Sequence, residues 1–394
     1  MTGPPEKPLR IGVFGARGIP STYSGYETFL TILLPELARR GHAVTMYCRR
    51  DEVPRLPAFE GVACRHLPAV RSKQFATLSH GWLAAAASAA ARHDVLLVVN
   101  VANAPACLFA RVLGRRIVLN TDGLEWTRSK WGAVAHGVFW ACARMARVST
   151  SGLIADSVAM RDVYQRRFDA PSTVIPYCWP GVEAPLPATR NRFSMEPRTY
   201  LVIAGRLVPE NNIDRIAESY LQTDFPHALL VLGSANYRSP VVAALDRLAA
   251  QDQRLVLGGH VDDRAEFMSL LRDSLVYLHG HSVGGINPAL IEAMGCGARI
   301  VALDTPFNRE ALGNTGDYFG MVQPSMASVV ARVLDEADPE NQSRREAAKV
   351  RARARFDLAT VADAYEALLI AVARGSRWSH TTMSTAWGAA EQGE

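Results

Sequence analysis

Residues 95–101 read VLLVVNV, an apolar run with no alternation of polar and apolar positions. A strand of that kind is buried on both faces. Both faces are covered where helices pack above and below a parallel sheet. The neighbouring segments fit the same architecture. Residues 10–14 read as a short apolar strand, the glycine-containing loop GARGIPSTYSGYE follows, and residues 28–40 read as a helix ended by Gly41-His42. Residues 44–48 read as the next strand. Strand, loop, helix, strand is the opening of an α/β unit.

The alternation continues along the chain. Helices are expected over 76–92, 104–113, 129–147 and 157–168, with strands at 116–120, 152–155 and 173–176. Between 179 and 198 the composition turns Pro-rich and polar, PGVEAPLPATRNRFSMEP, which reads as a linker. A second unit then opens with a strand at 200–204. It runs through strands at 228–232, 255–257, 276–278 and 299–302, with helices between them and closing helices at 345–356 and 358–373. The expected division is 1–185 and 186–355 as two Rossmann-like, doubly wound α/β domains, 356–374 as a terminal helix, and 375–394 as a fraying tail. In such sheets ligands sit outside the carboxyl ends of the strands, so a cleft between the domains is expected.

Length supports this count, since 394 residues exceed one ordinary core. Hydrophobic residues at 48% and charged residues at 21% exclude global disorder. The net charge of +5 is too small to argue for nucleic acid. Six cysteines without a C-x-x-C pair read as buried thiols in a reducing compartment rather than a zinc site. The opening MTGPPEKPLR has no apolar core of a signal peptide, and the Ala-rich run 74–91 reads as a soluble helix. A cytoplasmic location is expected, with any membrane contact made from the surface at its inner face.

The chemistry concentrates in two segments of the second unit. In HGHSVGGINPALIEAMGCG, Gly284 and Gly285 let the backbone approach a ligand. Pro288 suits the first turn of a helix, whose start favours phosphate. Glu292 is an odd charge in the apolar run ALIEAM; the alternative is a solvated stripe. In AGRLVPENN, Arg206 follows the end of a strand, where its guanidinium fork suits a diphosphate.

These residues carry a resemblance. G-R-L-x-P at Arg206, the glycine turn and E-A-M-x-C-G at Glu292 resemble the nucleotide-sugar half of glycosyltransferase family 4. G-x-R-G-I-P-x-x-Y-x-G-Y-E-T-F, D-G-L-E-W-x-R-x-K-W, P-E-N-N and H-G-H-S-V-G-G-x-N-P resemble its bacterial rhamnosyltransferase-type branch. The resemblance runs from about residue 10 to 369. It implies a GT-B fold, terminal helices that cross back to the first domain, and a retaining enzyme. That enzyme would transfer a deoxyhexose, L-rhamnose from dTDP-rhamnose, to a saccharide acceptor in surface polysaccharide synthesis.

By resemblance, Glu292 holds the ribose hydroxyls and Arg206 binds the diphosphate with Asn211 or Asn212. Gly284, Gly285, Ile286 and Asn287, with Gly18, surround the donor. His281 meets the sugar or phosphate, or is structural. Asp122 acts on the acceptor hydroxyl, or caps its own turn. Tyr26, Glu27, Glu125, Arg128 and Lys130 bind the acceptor. The chain departs from the wider family twice: Gly284 stands where a first glutamate is usual, and Asn211 where a lysine is usual. There is no D-x-D triplet, so no metal cofactor is expected.

Alternatives remain open at this stage. One is a UDP-hexose transferase acting on a small or lipid-linked acceptor. Others are a sugar-nucleotide epimerase and a non-catalytic glycan-binding module. The segment 128–147 combines Arg and Lys with Trp and Phe; it suits either an anionic membrane surface or packing on its own sheet.

Overall fold

The computed structural model describes residues 7–21, 25–72, 75–127, 132–179, 181, 192–235 and 239–375. The chain divides into two compact units. The first holds the sheet β1 (Arg10–Phe14), β2 (Ala43–Arg49), β3 (Ala58–Phe59), β4 (Val62–Leu67), β5 (Val95–Val99), β6 (Ile117–Asn120), β7 (Gly152–Ala155) and β8 (Thr173–Val174). Its spatial order is β3-β4-β2-β1-β5-β6-β7-β8, and every pairing is parallel except β3 with β4. Its helices are α1 (Gly25–Arg39), α2 (Ala76–Ala90), α3 (Ala104–Val112), α4 (Ala133–Ser149) and α5 (Val158–Phe168).

The strand VLLVV of β5 is buried at every residue. That is the burial its lack of alternation requires. The strand β4 was not legible in the sequence. Its residues VACRHL are only half buried, so the edge of the sheet lacks the apolar run that marks the centre. The helix expected over 129–147 is α4, which spans Ala133–Ser149; residues 129–131 lie outside the described set. Its partner aromatics separate cleanly. Trp126 is core, stacked edge-on against Tyr164 and Phe168 at 5.6 and 5.3 Å, whereas Trp140 is half exposed and touches Phe168 at 5.7 Å.

The second unit carries β9 (Tyr200–Ala204), β10 (Ala228–Leu232), β11 (Leu255–Gly259), β12 (Val276–His279), β13 (Ile300–Leu303) and β14 (Asp317–Phe319). They form one parallel sheet of order β11-β10-β9-β12-β13-β14. Its helices are α6 (Ile213–Leu221), α7 (Pro240–Gln251), α8 (Arg264–Asp273), α9 (Pro288–Cys296), α10 (Pro306–Leu312), α11 (Met326–Asp335) and α12 (Asp338–Phe356). Leu201, Ile203, Ile213, Ile216, Val276 and Val301 belong to its core cluster. All six cysteines of the chain are buried and free. No helix among the described residues is long and apolar enough to cross a membrane.

The last helix, α13 (Leu358–Arg374), belongs to the first unit. It packs on α1, β5 and β6. Apolar burial of Val361, Tyr365, Leu368 and Leu369 drives the docking. A charge clasp orients it. Arg40 binds Glu36 at 2.8 Å, Glu366 at 2.8 Å and Asp363 at 2.5 Å, while His42 Nε2 lies 2.9 Å from Glu366. Arg40 and Glu366 are each about 15% exposed, and without the guanidinium Glu366 keeps only the His42 ring in a poorly hydrated seam, while Glu36 keeps Arg39. Arg40→Ala should lower unfolding free energy by about 3 kcal/mol. A denaturant midpoint unchanged from wild type would show that apolar packing alone holds α13.

Candidate functional site

In the second unit the strand order reverses between β9 and β12. β10 and β11 lie on one side of β9, and β12, β13 and β14 on the other. At such a switch point the loops leaving adjacent strands diverge and open a crevice at their carboxyl ends. The loop after β9 carries Arg206, Asn211 and Asn212. The loop after β12 carries His281 and the glycine turn.

The two loops are stitched together by side-chain amides. Asn211 Nδ2 donates to the Arg206 carbonyl at 2.7 Å, and Asn211 Oδ1 lies 2.8 Å from His281 Nδ1. Asn212 Nδ2 donates to the Gly280 carbonyl at 2.8 Å. The Ser282 N–H and hydroxyl both donate to the Glu210 carbonyl. Because Asn211 Nδ2 is the donor to Arg206, Oδ1 must accept, and His281 carries its proton on Nδ1. In the neutral ring Nε2 is then the acceptor. Asn211 and Asn212 are buried at this seam. Their amides hold the loops in register.

Arg206 is exposed, and its guanidinium meets no partner among the described residues. The start of α9 behaves differently from the expected open helix end. Asn287 Oδ1 accepts from the Ala289 N–H at 2.9 Å, the Leu290 N–H bonds the Asn287 carbonyl, and Pro288 has no N–H. The helix is therefore already capped. The donors that meet no partner among the described residues are the N–H groups of Gly284, Gly285, Ile286 and Asn287 in the turn itself. Consecutive N–H groups in such a turn form an anion-binding concavity. Gly284 and Gly285 have φ of +112° and +98°. A glutamate at 284 would be strained there, so the missing family carboxylate accompanies a backbone that only glycine adopts readily.

Glu292 lies on α9 and is 8% exposed, which rules out a solvated stripe. Its carboxylate forms an ion pair with Arg264 at the start of α8. Burial raises its pKa, and the Arg264 charge opposes that shift. Arg264 is half exposed and was not singled out from sequence; a cation in the first turn of a helix was the only signal. Behind the turn, Tyr277 Oη lies 3.0 Å from His279 Nδ1 and 3.4 Å from the Ala204 carbonyl. His279 is buried, with no hydrogen-bond partner for Nε2 among the described residues.

In the first unit the order reverses between β1 and β5. The loop after β1 holds Gly18, packed so closely on Cys48 that an added Cβ would lie 2.8 Å from its sulfur. Tyr26 stacks edge-on against Phe29 and Tyr177 at 5.8 and 5.7 Å. Glu27 is buried, and burial raises its pKa against the pull of Arg17, 3.9 Å away. Asp122 follows β6 with φ of +52°. Its carboxylate accepts from Asn100 Nδ2 at 3.3 Å and Tyr177 Oη at 3.4 Å, side chains of other segments. Asn120 Oδ1 accepts from the Asp122 N–H, and Asn120 Nδ2 donates to Tyr365 Oη of α13 at 2.8 Å. Asn100, Asn120 and Tyr365 were missed because their roles depend on three distant segments converging. Glu125 is buried in the next turn. Arg128 and Lys130 lie outside the described residues.

Burial pushes His279 down to about 3 and His80, in α2, down to about 4. A histidine's ordinary value is about 6.5. Between the folded and ordinary values the unfolded chain binds protons that the folded chain refuses. These two groups therefore add stability that is fully present above about pH 6.5 and is lost as pH falls through the window. His279→Gln should flatten part of the fall in unfolding free energy between pH 6.5 and 4, and an unchanged slope would place a charged imidazole at that position.

Residues 10–179 match a domain of unknown function (DUF1972), and residues 189–354 match the family described as glycosyl transferases group 1. No curated protein matches the sequence. The chain is similar to a sucrose-phosphate synthase from Thermosynechococcus elongatus, with a TM-score of 0.78 and 18% identity over 93% of this chain and 100% of that one. It is similar to HepE of Anabaena in complex with UDP-glucose, with a TM-score of 0.71 and 15% identity over 92% and 100% of the two chains. It is also similar to an α,α-trehalose 6-phosphate synthase from Burkholderia multivorans, with a TM-score of 0.71 and 14% identity over 94% and 98%. At these identities the likeness is one of fold: the sheets of eight and six strands match GT-B structures.

Proposed function

We propose that this chain, a group 1 glycosyltransferase by its residues 189–354, moves a deoxyhexose, L-rhamnose from dTDP-rhamnose, onto a saccharide acceptor. The observation that carries the reading is the set of donors at the second unit's switch point. Four turn N–H groups and the guanidinium of Arg206, all without partners among the described residues, suit a diphosphate. The buried carboxylate of Glu292 suits a ribose diol. These donors stabilise the leaving diphosphate without a metal, because they are fixed in place before charge develops.

The first unit is assigned to the acceptor, with Asp122, Tyr26, Glu27, Glu125, Arg128 and Lys130 as its binding residues. Transfer breaks the bond from the anomeric carbon to the diphosphate oxygen and forms one to the acceptor oxygen on the same face. The acceptor's proton passes to the departing phosphate. Asp122, held by Asn100 and Tyr177, orients the acceptor hydroxyl. His281, protonated on Nδ1, accepts from a sugar hydroxyl through Nε2, a role better suited to neutral imidazole than phosphate binding. Retention would give a β-linked product from a β-L-rhamnose donor. The absence of a carboxylate at Gly284 supports a sugar with fewer hydroxyls to hold.

A second reading, a UDP-hexose donor, is favoured by one observation: HepE, similar in fold, is described in complex with UDP-glucose. Calorimetric titration with dTDP-rhamnose and UDP-glucose separates the two. The preferred donor should raise stability by about 2.7 kcal/mol at a hundredfold excess over Kd. Arg206→Ala should lower kcat by roughly a hundredfold while the melting temperature holds. Glu292→Ala should weaken the bare nucleoside diphosphate by about 2 kcal/mol. A folded Arg206→Ala with normal turnover, or full activity loss with EDTA restored by Mg²⁺, would overturn the mechanism.

A further inference from the structure

In the first unit, α2, α3 and α4 connect strands that step in one direction across the sheet, from β4 to β5 to β6 to β7. Right-handed crossovers place such helices on the same face of the sheet, running parallel. Their contacts agree, α2 with α3 and α3 with α4. The first connection, α1, steps the other way and lies with α13 on the opposite face.

The outer surface of this three-helix layer is inverted relative to an ordinary soluble helix layer. α4 turns small residues inward, Cys142, Ala143, Ala146 and Ser149. Its larger apolar residues face out: Val134 is 84% exposed, and Val138, Trp140 and Val148 are also exposed. On α3 the outward residues are Phe109 and Val112, the latter 78% exposed. Exposed Trp82 of α2 stacks on Phe109 at 5.6 Å, so the apolar surface is continuous from α2 to α3, and α4 packs beside α3. Scattered single apolar residues need no explanation, but a joined surface of this kind marks an interaction site.

The charge pattern says which kind. The sequences of α2, α3 and α4 contain no Asp or Glu. Arg144 and Arg111 sit on the exposed side of α4 and α3 with no carboxylate partner among the described residues, Arg111 resting on the Thr150 carbonyl; Arg147 is neutralised by Asp169 at 2.6 Å. Exposed valines, a half-exposed tryptophan, and Arg111 and Arg144 on helices that carry no acid match a surface of anionic headgroups over acyl chains. No helix among the described residues is long and apolar enough to span a bilayer, so contact would be peripheral.

We infer that the α2–α3–α4 face docks the first unit on an anionic lipid surface. This is independent of donor identity and of the residues assigned to transfer. The test is flotation of the full chain with vesicles of phosphatidylglycerol and phosphatidylcholine against vesicles of phosphatidylcholine alone. Binding should require phosphatidylglycerol and weaken as salt is raised. The double variant Val134→Glu/Val138→Glu should partition about tenfold more weakly, since it places acids where the face has none. Both side chains are solvent-facing, so its melting temperature and nucleotide-sugar binding should match wild type. Arg144→Glu should weaken binding without touching the apolar ridge. Wild type that stays with the soluble fraction, or a double variant that floats as well as wild type, would overturn the inference. So would a wild-type dimer in light scattering that the same variant dissolves while vesicles are ignored.

Discussion

The second unit's site depends on how closely two loops approach at the switch point. Gly280, directly after β12, lies against the loop that follows β9; a Cβ there would sit 2.3 Å from the Asn211 carbonyl oxygen. That contact allows Asn212 to reach the Gly280 carbonyl and Asn211 to reach both Arg206 and His281. Arg206 and the glycine turn thus issue from one cross-linked platform. A platform held by buried amides keeps cationic and N–H donors oriented without any ligand, which is the preorganisation that leaving-group stabilisation requires.

Buried cations support the opposite end of the same sheet. Arg345, on α12, donates to the carbonyls of Arg272, Gly297, Ser274 and Leu275, at the ends of α8 and α9 and the start of β12. Burial lowers its pKa to about 9, so the site's cost is desolvation, offset by four carbonyl acceptors. Arg299 is fully buried and pairs with Asp317 and Glu336. In the first unit, α13 plays the comparable part: Tyr365 fixes Asn120, which fixes the backbone of Asp122. The last helix of the chain therefore sets the position of a carboxylate placed some 240 residues earlier, a separation the Asn120–Tyr365 bond spans directly.

Much of the architecture was readable because parallel α/β folds repeat a simple pattern. Apolar runs such as VLLVV and YLVIA are strands in both the reading and the structure, since burial on two faces leaves no polar positions. The strand β4, next to the edge strand β3, escaped because its open face leaves Ala63 and Arg65 exposed. Glu292 stood out as a charge within an apolar helix, and it is buried; its counter-ion Arg264 carried no comparable mark, being one arginine among many on exposed helix starts. The glycine pair was legible as a place of close approach. That its N–H groups, rather than those of α9, meet no partner was not, because capping by Asn287 is a geometric outcome.

By itself, the sequence determined the α/β class, the break near the Pro-rich segment and the loops at strand ends, because these follow from hydrophobic period and turn chemistry over short windows. Its residues 189–354 also match the family described as glycosyl transferases group 1. Tertiary structure alone decided which side chains meet. It placed the Asn211 amide between Arg206 and His281, paired Glu292 with Arg264, and turned the valines of α4 outward. Each of these depends on contacts between residues far apart in the chain. Local pattern does not encode those contacts, because the same residue type is stable in either environment until its neighbours are in place.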